Sequence, residues 1–377
     1  MATKERNNLR IVKRAAVKRR KKRRGITKDP ELLPKVALAK FPPTGERRMR
    51  SDREVAEIVG ISIQAVGGLL EAAFNQGFTS AIHHAPNEVI ELARLEDAVR
   101  LRYGLLRVLL VPGLPDMLEP LDVKQRRNVQ TQVIRSMARR VIEYLDALLA
   151  DAAARQEGFT LGVAWGRTMR LLAEHLRSTP RDVCFPGLEV VPIVGITCAS
   201  LQEPTEANVI AMRFAEAYRG YSSQLACPAF VPRPDAWVMQ RLEQVRRMLQ
   251  KLLACDAVIT SMGPIPDDDN AAEEITLSSD PVLNAALFKA ARTREAIGEI
   301  CFWLFNEWGE EVRTNHAAIG LGFGGLQKIA ADPKRQVILV AGGDRRRFKP
   351  LRAALRARLA SVLVSDTVTA RFLAEEN

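Results

Sequence analysis

The chain is poor in the residues on which most protein chemistry depends. Only 4 histidines occur, at positions 83, 84, 175 and 316, and none stands in an HExxH spacing, which argues against a histidine-rich metal centre. The five cysteines, Cys184, Cys198, Cys227, Cys255 and Cys301, stand singly and in odd number. That pattern fits reduced thiols in a cytosolic chain and gives no disulfide framework, zinc site or other cofactor. Long apolar runs are missing too: residues 108–111 and 257–260 have the length of core strands, far below the roughly 20 residues of a membrane helix. Lys4, Arg6 and Arg10 are followed by more cations and not by an apolar segment, so a secretory leader is not expected and the chain should stay in the cytoplasm, without a membrane.

What is present is ordinary globular material. Hydrophobic residues make up 47% and charged residues 27%, which excludes collagen, coiled-coil rods and a wholly disordered chain. A length of 377 residues suggests two or three domains. The net charge of +12 is unevenly spread: residues 1–50 hold 18 Lys and Arg against 4 Asp and Glu, so the remainder is slightly acidic. Residues 18–24 are seven consecutive cations. We therefore expect residues 1–28 to be a disordered arm, either a solubilising leader or an electrostatic arm whose Arg20, Arg23 and Arg24 meet nucleic-acid phosphates.

Beyond a turn-rich spacer at 41–45, the pattern becomes helical. Ser51 can cap a helix carrying Val55, Ile58 and Val59, and Gly60 stops it. Ser62 can cap a second, with Val66, Leu69, Leu70 and Ala73 on one face and Gly77 at its end. Two short helices joined by three residues read as a helix-turn-helix, or as any helical hairpin, and the alternation over 78–84 as a wing-like strand. Residues 122–151 form a long amphipathic helix that should pack on a sheet. Apolar runs at 159–164, 188–194, 255–261, 336–341 and 361–364, with helices between, then predict a doubly wound, mostly parallel sheet. Ligands of such sheets bind beyond the carboxyl ends of the strands.

Several segments resemble the SorC family of bacterial sugar-responsive transcriptional regulators: EVAEIVGIS from Glu54, LEDAVRLRYGLLRVLLVPG from Leu95, GVAWGRTMRLLAEHL from Gly162, CDAVITSMG from Cys255, AIGEICFWLF from Ala296, VILVAGG from Val337 and SDTVTARFLAEE from Ser365. They occur in the family's order over roughly residues 50–377. The resemblance implies a helix-turn-helix domain at 29–87 that binds a double-stranded DNA operator. It also implies an α/β domain at 88–377 that binds a sugar, polyol or sugar phosphate and forms a homo-oligomer, expected to be a tetramer. Where the family usually has Val-Ser-Arg on its recognition helix, this chain has Val66-Gly67-Gly68, which offers no side chain to a base edge. Ser62, Gln64 and Asn75 remain as polar DNA-binding candidates.

For the effector, Gly166, Arg167 and Thr168 lie at a strand-to-helix junction, where free N–H groups, a guanidinium and a hydroxyl suit an anion or a polyol. The resemblance adds Glu299, in the pair Gly298-Glu299 that would accept sugar hydroxyls, and Asn208, Gln224 and Gly263. It also points to a cation after Val340-Ala341-Gly342-Gly343, where the register leaves Arg346 and Arg347 both open and no Schiff-base lysine stands. Asp267, Asp268 and Asp269 resemble a divalent-metal cluster but read as exposed acids of a Pro-rich loop. The leading function is a DNA-binding regulator with a sugar sensor. The rivals are a sugar-phosphate isomerase or deaminase on the same sheet, for which no acid/base pair stands out, and a nucleic-acid-binding protein with a degenerate sensor.

Overall fold

The computed structural model describes residues 32–40, 50–75, 86–114, 117, 122–178, 183–197, 204–265 and 281–375. The basic arm with Arg20, Arg23 and Arg24, the strand expected at 78–84 and the acids Asp267 to Asp269 lie outside the described residues. The chain divides into two compact units between Glu91 and Leu92.

Among the described residues, the first unit includes the helices α1 (Leu32–Lys40), α2 (Asp52–Val59) and α3 (Ile63–Asn75). Local chemistry sets α2: Ser51 N–H donates to Glu54 Oε2 at 2.6 Å while Glu54 N–H donates back to Ser51 Oγ. Gly60 ends it in the left-handed region at φ +72°, its N–H donating to the Ala56 carbonyl. Val55, Val66, Leu69 and Ala73 bury their side chains with Leu33 and Val36 of α1 in one small core. The sequence pattern did not reveal α1, which supplies the third wall that two short helices need.

The second unit is built on a parallel sheet. Its strands are β1 (Arg107–Val111), β2 (Phe159–Val163), β3 (Leu188–Pro192), β4 (Tyr221–Ser222), β6 (Ala257–Ser261), β12 (Gln336–Val340) and β13 (Val362–Asp366), in the spatial order β1-β13-β12-β6-β2-β3-β4. Neighbouring pairs are all parallel. The five residues of β3 and of β13 are buried throughout, as expected for strands covered on both faces. From β2 the chain moves outward to β3 and β4, and from β6 it moves the opposite way to β12 and β13. With right-handed crossovers, this reversal places the connecting helices on opposite faces and opens a crevice between the carboxyl ends of β2 and β6.

Helix α4 (Pro86–Tyr103) precedes β1, and α5 (Val123–Ala154) follows it and packs on β1 and β13 through Val133, Met137, Val141 and Leu145. The helix α6 (Arg167–Ser178) follows β2 and α7 (Ala207–Ala217) follows β3. Two short strands, β5 (Phe230–Pro232) and β11 (His316–Ala318), pair with each other, and α8 (Arg233–Met239) and α9 (Glu243–Leu253) lie between β5 and β6. A small antiparallel sheet, unforeseen in the sequence, consists of β7 (Gly263–Pro264), β8 (Gly298–Ile300), β9 (Trp303–Phe305) and β10 (Glu311–Val312). It begins directly after β6, so it rises from the crevice itself. Helix α10 (Pro281–Thr293) precedes β8, α11 (Phe323–Ala331) precedes β12, and α12 (Phe348–Arg356) and α13 (Thr367–Ala374) flank β13. Among the described residues no helix is long and apolar enough to cross a membrane.

Candidate functional site

One wall of the crevice is the turn from β2 into α6. Gly166 has φ +100°, with nothing among the described residues within 4 Å of the place a Cβ would take. Its N–H donates to the Thr205 carbonyl at 2.9 Å, and its own carbonyl accepts the Arg170 N–H at 2.9 Å. The turn thus opens the first helical turn toward the crevice, where Thr168 is buried. The Arg167 guanidinium donates to Gln130 Oε1 and to the Arg127 carbonyl at 3.4 Å, both on α5. Gln130 is a site residue that sequence reasoning missed. Its signal was a polar side chain between Val129 and Val133 on the apolar face of α5, and it is buried there.

The second wall is the small antiparallel sheet. Gly263 pairs with Glu299, and a Cβ on Gly263 would stand 2.7 Å from Glu299 Oε1. Glycine is therefore what admits the carboxylate. Glu299 is buried, and its Oε2 accepts the Phe302 N–H at 3.0 Å. Burial pushes its carboxyl up to about 7, against the pull of the Phe302 N–H, the Arg347 guanidinium and the Gly263 N–H. The β8–β9 turn is formed by Cys301 and Phe302, both left-handed at φ +49° and +69°. Side chains rarely accept that conformation, and here the compensation is visible. The Phe302 ring stacks between Trp165 (4.8 Å) and Phe230 (5.3 Å), and Phe230 in turn stacks on His316. Burial drives the Cys301 thiol well above its ordinary range, so it is an inert packing group and not a nucleophile.

The third wall follows β12. Gly343 N–H donates to Asp366 Oδ2 at 2.9 Å, and a Cβ on Gly343 would crowd Gln130 and Val133 at 3.2–3.3 Å. The two arginines that the sequence left open separate here. Arg346 turns back on Asp344, with Nη2 2.7 Å from Oδ2 and Nε 3.2 Å from Oδ1. Burial raises the Asp344 carboxyl, but the Arg346 guanidinium more than offsets this and holds it below the usual carboxylate range. Arg347 has its Nε buried without a hydrogen-bond partner among the described residues. Burial lowers its guanidinium to about 10; Asp344 and Glu299 oppose that shift, and Arg167 and Arg346 add to it. Three guanidiniums therefore face two carboxyls, one of them poorly ionised.

The remaining candidates differ in kind. Asn208 is buried, with Nδ2 donating to Glu206 Oε1 at 2.9 Å and Oδ1 accepting the Leu225 N–H at 3.0 Å. Its amide is largely committed to holding residue 225 against α7. Gln224, beside it, is exposed. In the first unit Ser62 and Gln64 are exposed at the start of α3, and Asn75 is its last residue.

The chain matches the family model described as "Putative sugar-binding domain" over residues 87–375. It is 27% identical to the deoxyribonucleoside regulator of Bacillus subtilis (strain 168) over 330 residues, 86% of this chain and 93% of that protein. It is 26% identical over 331 residues to an uncharacterised transcriptional regulator of Escherichia coli (strain K12), covering 86% and 90% of the two chains. The fold is shared with the full-length sorbitol operon regulator of Klebsiella pneumoniae, at TM-score 0.62 and 19% identity over 92% of this chain and 99% of that one. A probable sor operon regulator from Shigella flexneri superposes at TM-score 0.58 and 20% identity over 75% and 99%. A helix-turn-helix unit followed by a sugar-binding α/β unit defines a DNA-binding transcriptional regulator that senses a sugar. The chain belongs to the SorC family of these regulators and carries its sugar-binding domain.

Proposed function

We propose that the effector is a phosphorylated sugar or polyol, bound in the crevice at the carboxyl ends of β2, β6 and β12. The observation that carries this reading is Arg347: a desolvated guanidinium with an unsatisfied Nε, electrostatically coupled to Arg167, is costly until an anion pairs with it. The backbone N–H groups after Gly166 and the Thr168 hydroxyl would receive the phosphate oxygens, while Glu299 accepts sugar hydroxyls. Arg346 serves by holding Asp344, and Asn208 by bracing the loop that carries Gln224. Residues 29–87 act as the DNA-binding domain, residues 88–377 as the effector and assembly domain, and residues 1–28 as an arm on DNA phosphates, in a cytoplasmic homo-oligomer that is a tetramer.

Calorimetry with pentose and hexose phosphates beside their dephosphorylated counterparts tests the ligand. Binding confined to the phosphates, and weakened about tenfold or more by Arg347→Lys, which keeps the charge and loses the planar fork, supports the reading. Equal binding of the free sugars refutes it. The raised Glu299 carboxyl favours one rival, a sugar-phosphate isomerase using Glu299 as base. Both Glu299 hydrogen bonds from Gly263 and Phe302 hold the carboxylate toward the protein, and a turnover assay on the same phosphates decides between sensor and enzyme.

A further inference from the structure

The recognition helix α3 carries two adjacent glycines for which the first unit itself offers no reason. Gly67 and Gly68 lie inside the helix, in backbone that alanine adopts more readily, at a cost of about 1 kcal/mol each against alanine. Glycine inside an element is otherwise explained by a left-handed turn or by a neighbour that a Cβ would strike. Gly60 is the first case and Gly263 the second. At Gly67 and Gly68 neither holds: no left-handed φ occurs, and a Cβ at either position meets nothing within 4 Å among the described residues.

The face on which they stand points outward. Val66, Leu69 and Ala73 are buried against α1 and α2, while Ile63, Gln64, Gly67 and Gly68, at helical positions i, i+1, i+4 and i+5, are exposed. Those four residues carry no charge. Ile63 leaves 53% of its surface open although it is a large apolar residue at the first turn. Such a face offers phosphates no cation, only the Gln64 amide and the N–H groups of the first turn. It suits the floor of a major groove, where an apolar side chain meets a thymine methyl and a Gln amide pairs with the N6 and N7 of adenine. The groove is about as wide as a helix with its side chains, so the depth that Ile63 and Gln64 reach depends on how little stands behind them.

We propose that Gly67 and Gly68 are clearance residues: they let the α3 backbone lie against the groove, so that Ile63 and Gln64 at its first turn read an A·T pair. This rests on α3 being the DNA-reading helix of the family. The probe is the duplex that the full chain enriches from a random-sequence pool, with a scrambled duplex of equal length as reference. The double variant G67A/G68A should melt no lower than the parent by circular dichroism, since alanine favours the helix. It should bind the enriched duplex about tenfold or more weakly, while binding to the scrambled duplex changes by less than about twofold. Affinity for the enriched duplex within twofold of the parent would overturn the proposal and leave α3 as a reading helix. A lower melting temperature would overturn it also, by revealing an internal role for the glycines. A parent chain that enriches no duplex would remove the operator role of α3 and the proposal with it.

Discussion

Glu299 should make the second unit lose stability as the pH rises through neutrality. Its carboxyl is raised from an ordinary 4.5 to about 7, chiefly by burial, so the native state holds a proton that the unfolded chain has already released between these values. In that window the unfolded state binds fewer protons than the native state, and stability falls with increasing pH. The contribution is fully present below pH 4.5 and lost above 7. A tenfold change in proton activity is worth a little over 1 kcal/mol, so the loss from pH 5 to pH 8 is on the order of 2–3 kcal/mol.

Glu299→Gln isolates this effect, because all other titrations cancel in the difference between the two proteins. Glutamine keeps one acceptor oxygen but turns an NH2 toward one of the Gly263 and Phe302 N–H groups, a constant cost of about 1–3 kcal/mol. The variant should therefore be the less stable protein at pH 5, and the gap should close or reverse by pH 8. Urea unfolding followed by tryptophan fluorescence is the assay, since Trp165, Trp237, Trp303 and Trp308 all lie in the second unit. A parent-minus-variant difference that stays constant from pH 5 to pH 8 would refute the desolvation argument.

Other outcomes are expected from the same geometry. Gly263→Ala drives a methyl to 2.7 Å from Glu299 Oε1 and should destabilise the unit by about 1–3 kcal/mol in chemical denaturation, with a larger relative loss of sugar-phosphate binding in calorimetry. Thr168→Val preserves volume and removes a hydroxyl, so phosphate affinity should fall while duplex binding in the absence of effector stays at the parent value. Deleting residues 1–28 should flatten the salt dependence of DNA binding at every sequence, because each phosphate neutralised contributes a slope of about 0.9. Gln64→Ala should cost about 1–3 kcal/mol at an enriched duplex and little on random DNA, as measured by fluorescence anisotropy.

Features that depend on a few consecutive residues were legible in the sequence. The Ser51 cap and the Gly60 stop are written in the residues that make them, and the central parallel strands announced themselves as short, continuous apolar runs because both their faces are covered, whereas the two-residue β4 did not. The Gly166 turn followed from its place after such a strand. Gln130 was not legible as a site residue, because its partner Arg167 is 37 positions away and only the packing of α5 beside α6 joins them. The choice between Arg346 and Arg347 was equally closed, since it turns on which guanidinium Asp344 captures once it is buried.

The β8–β9 hairpin was hidden for a different reason. A two-residue turn with both residues left-handed normally declares itself by Asn-Gly or Asp-Gly, and here it is Cys301-Phe302. Local propensity opposes the turn, so its stabilisation must come from tertiary structure: the Phe302 ring between Trp165 and Phe230, and the Phe302 N–H on Glu299. That N–H reaches the carboxylate because the turn is left-handed there, and the Trp165 ring that helps hold the turn stands next to Gly166. The glycine turn that would receive a phosphate and the acid that would receive sugar hydroxyls are thus braced through one aromatic stack. Loss of the stack should loosen both ends of the pocket together, where removal of Glu299 alone would leave the Gly166 turn in place.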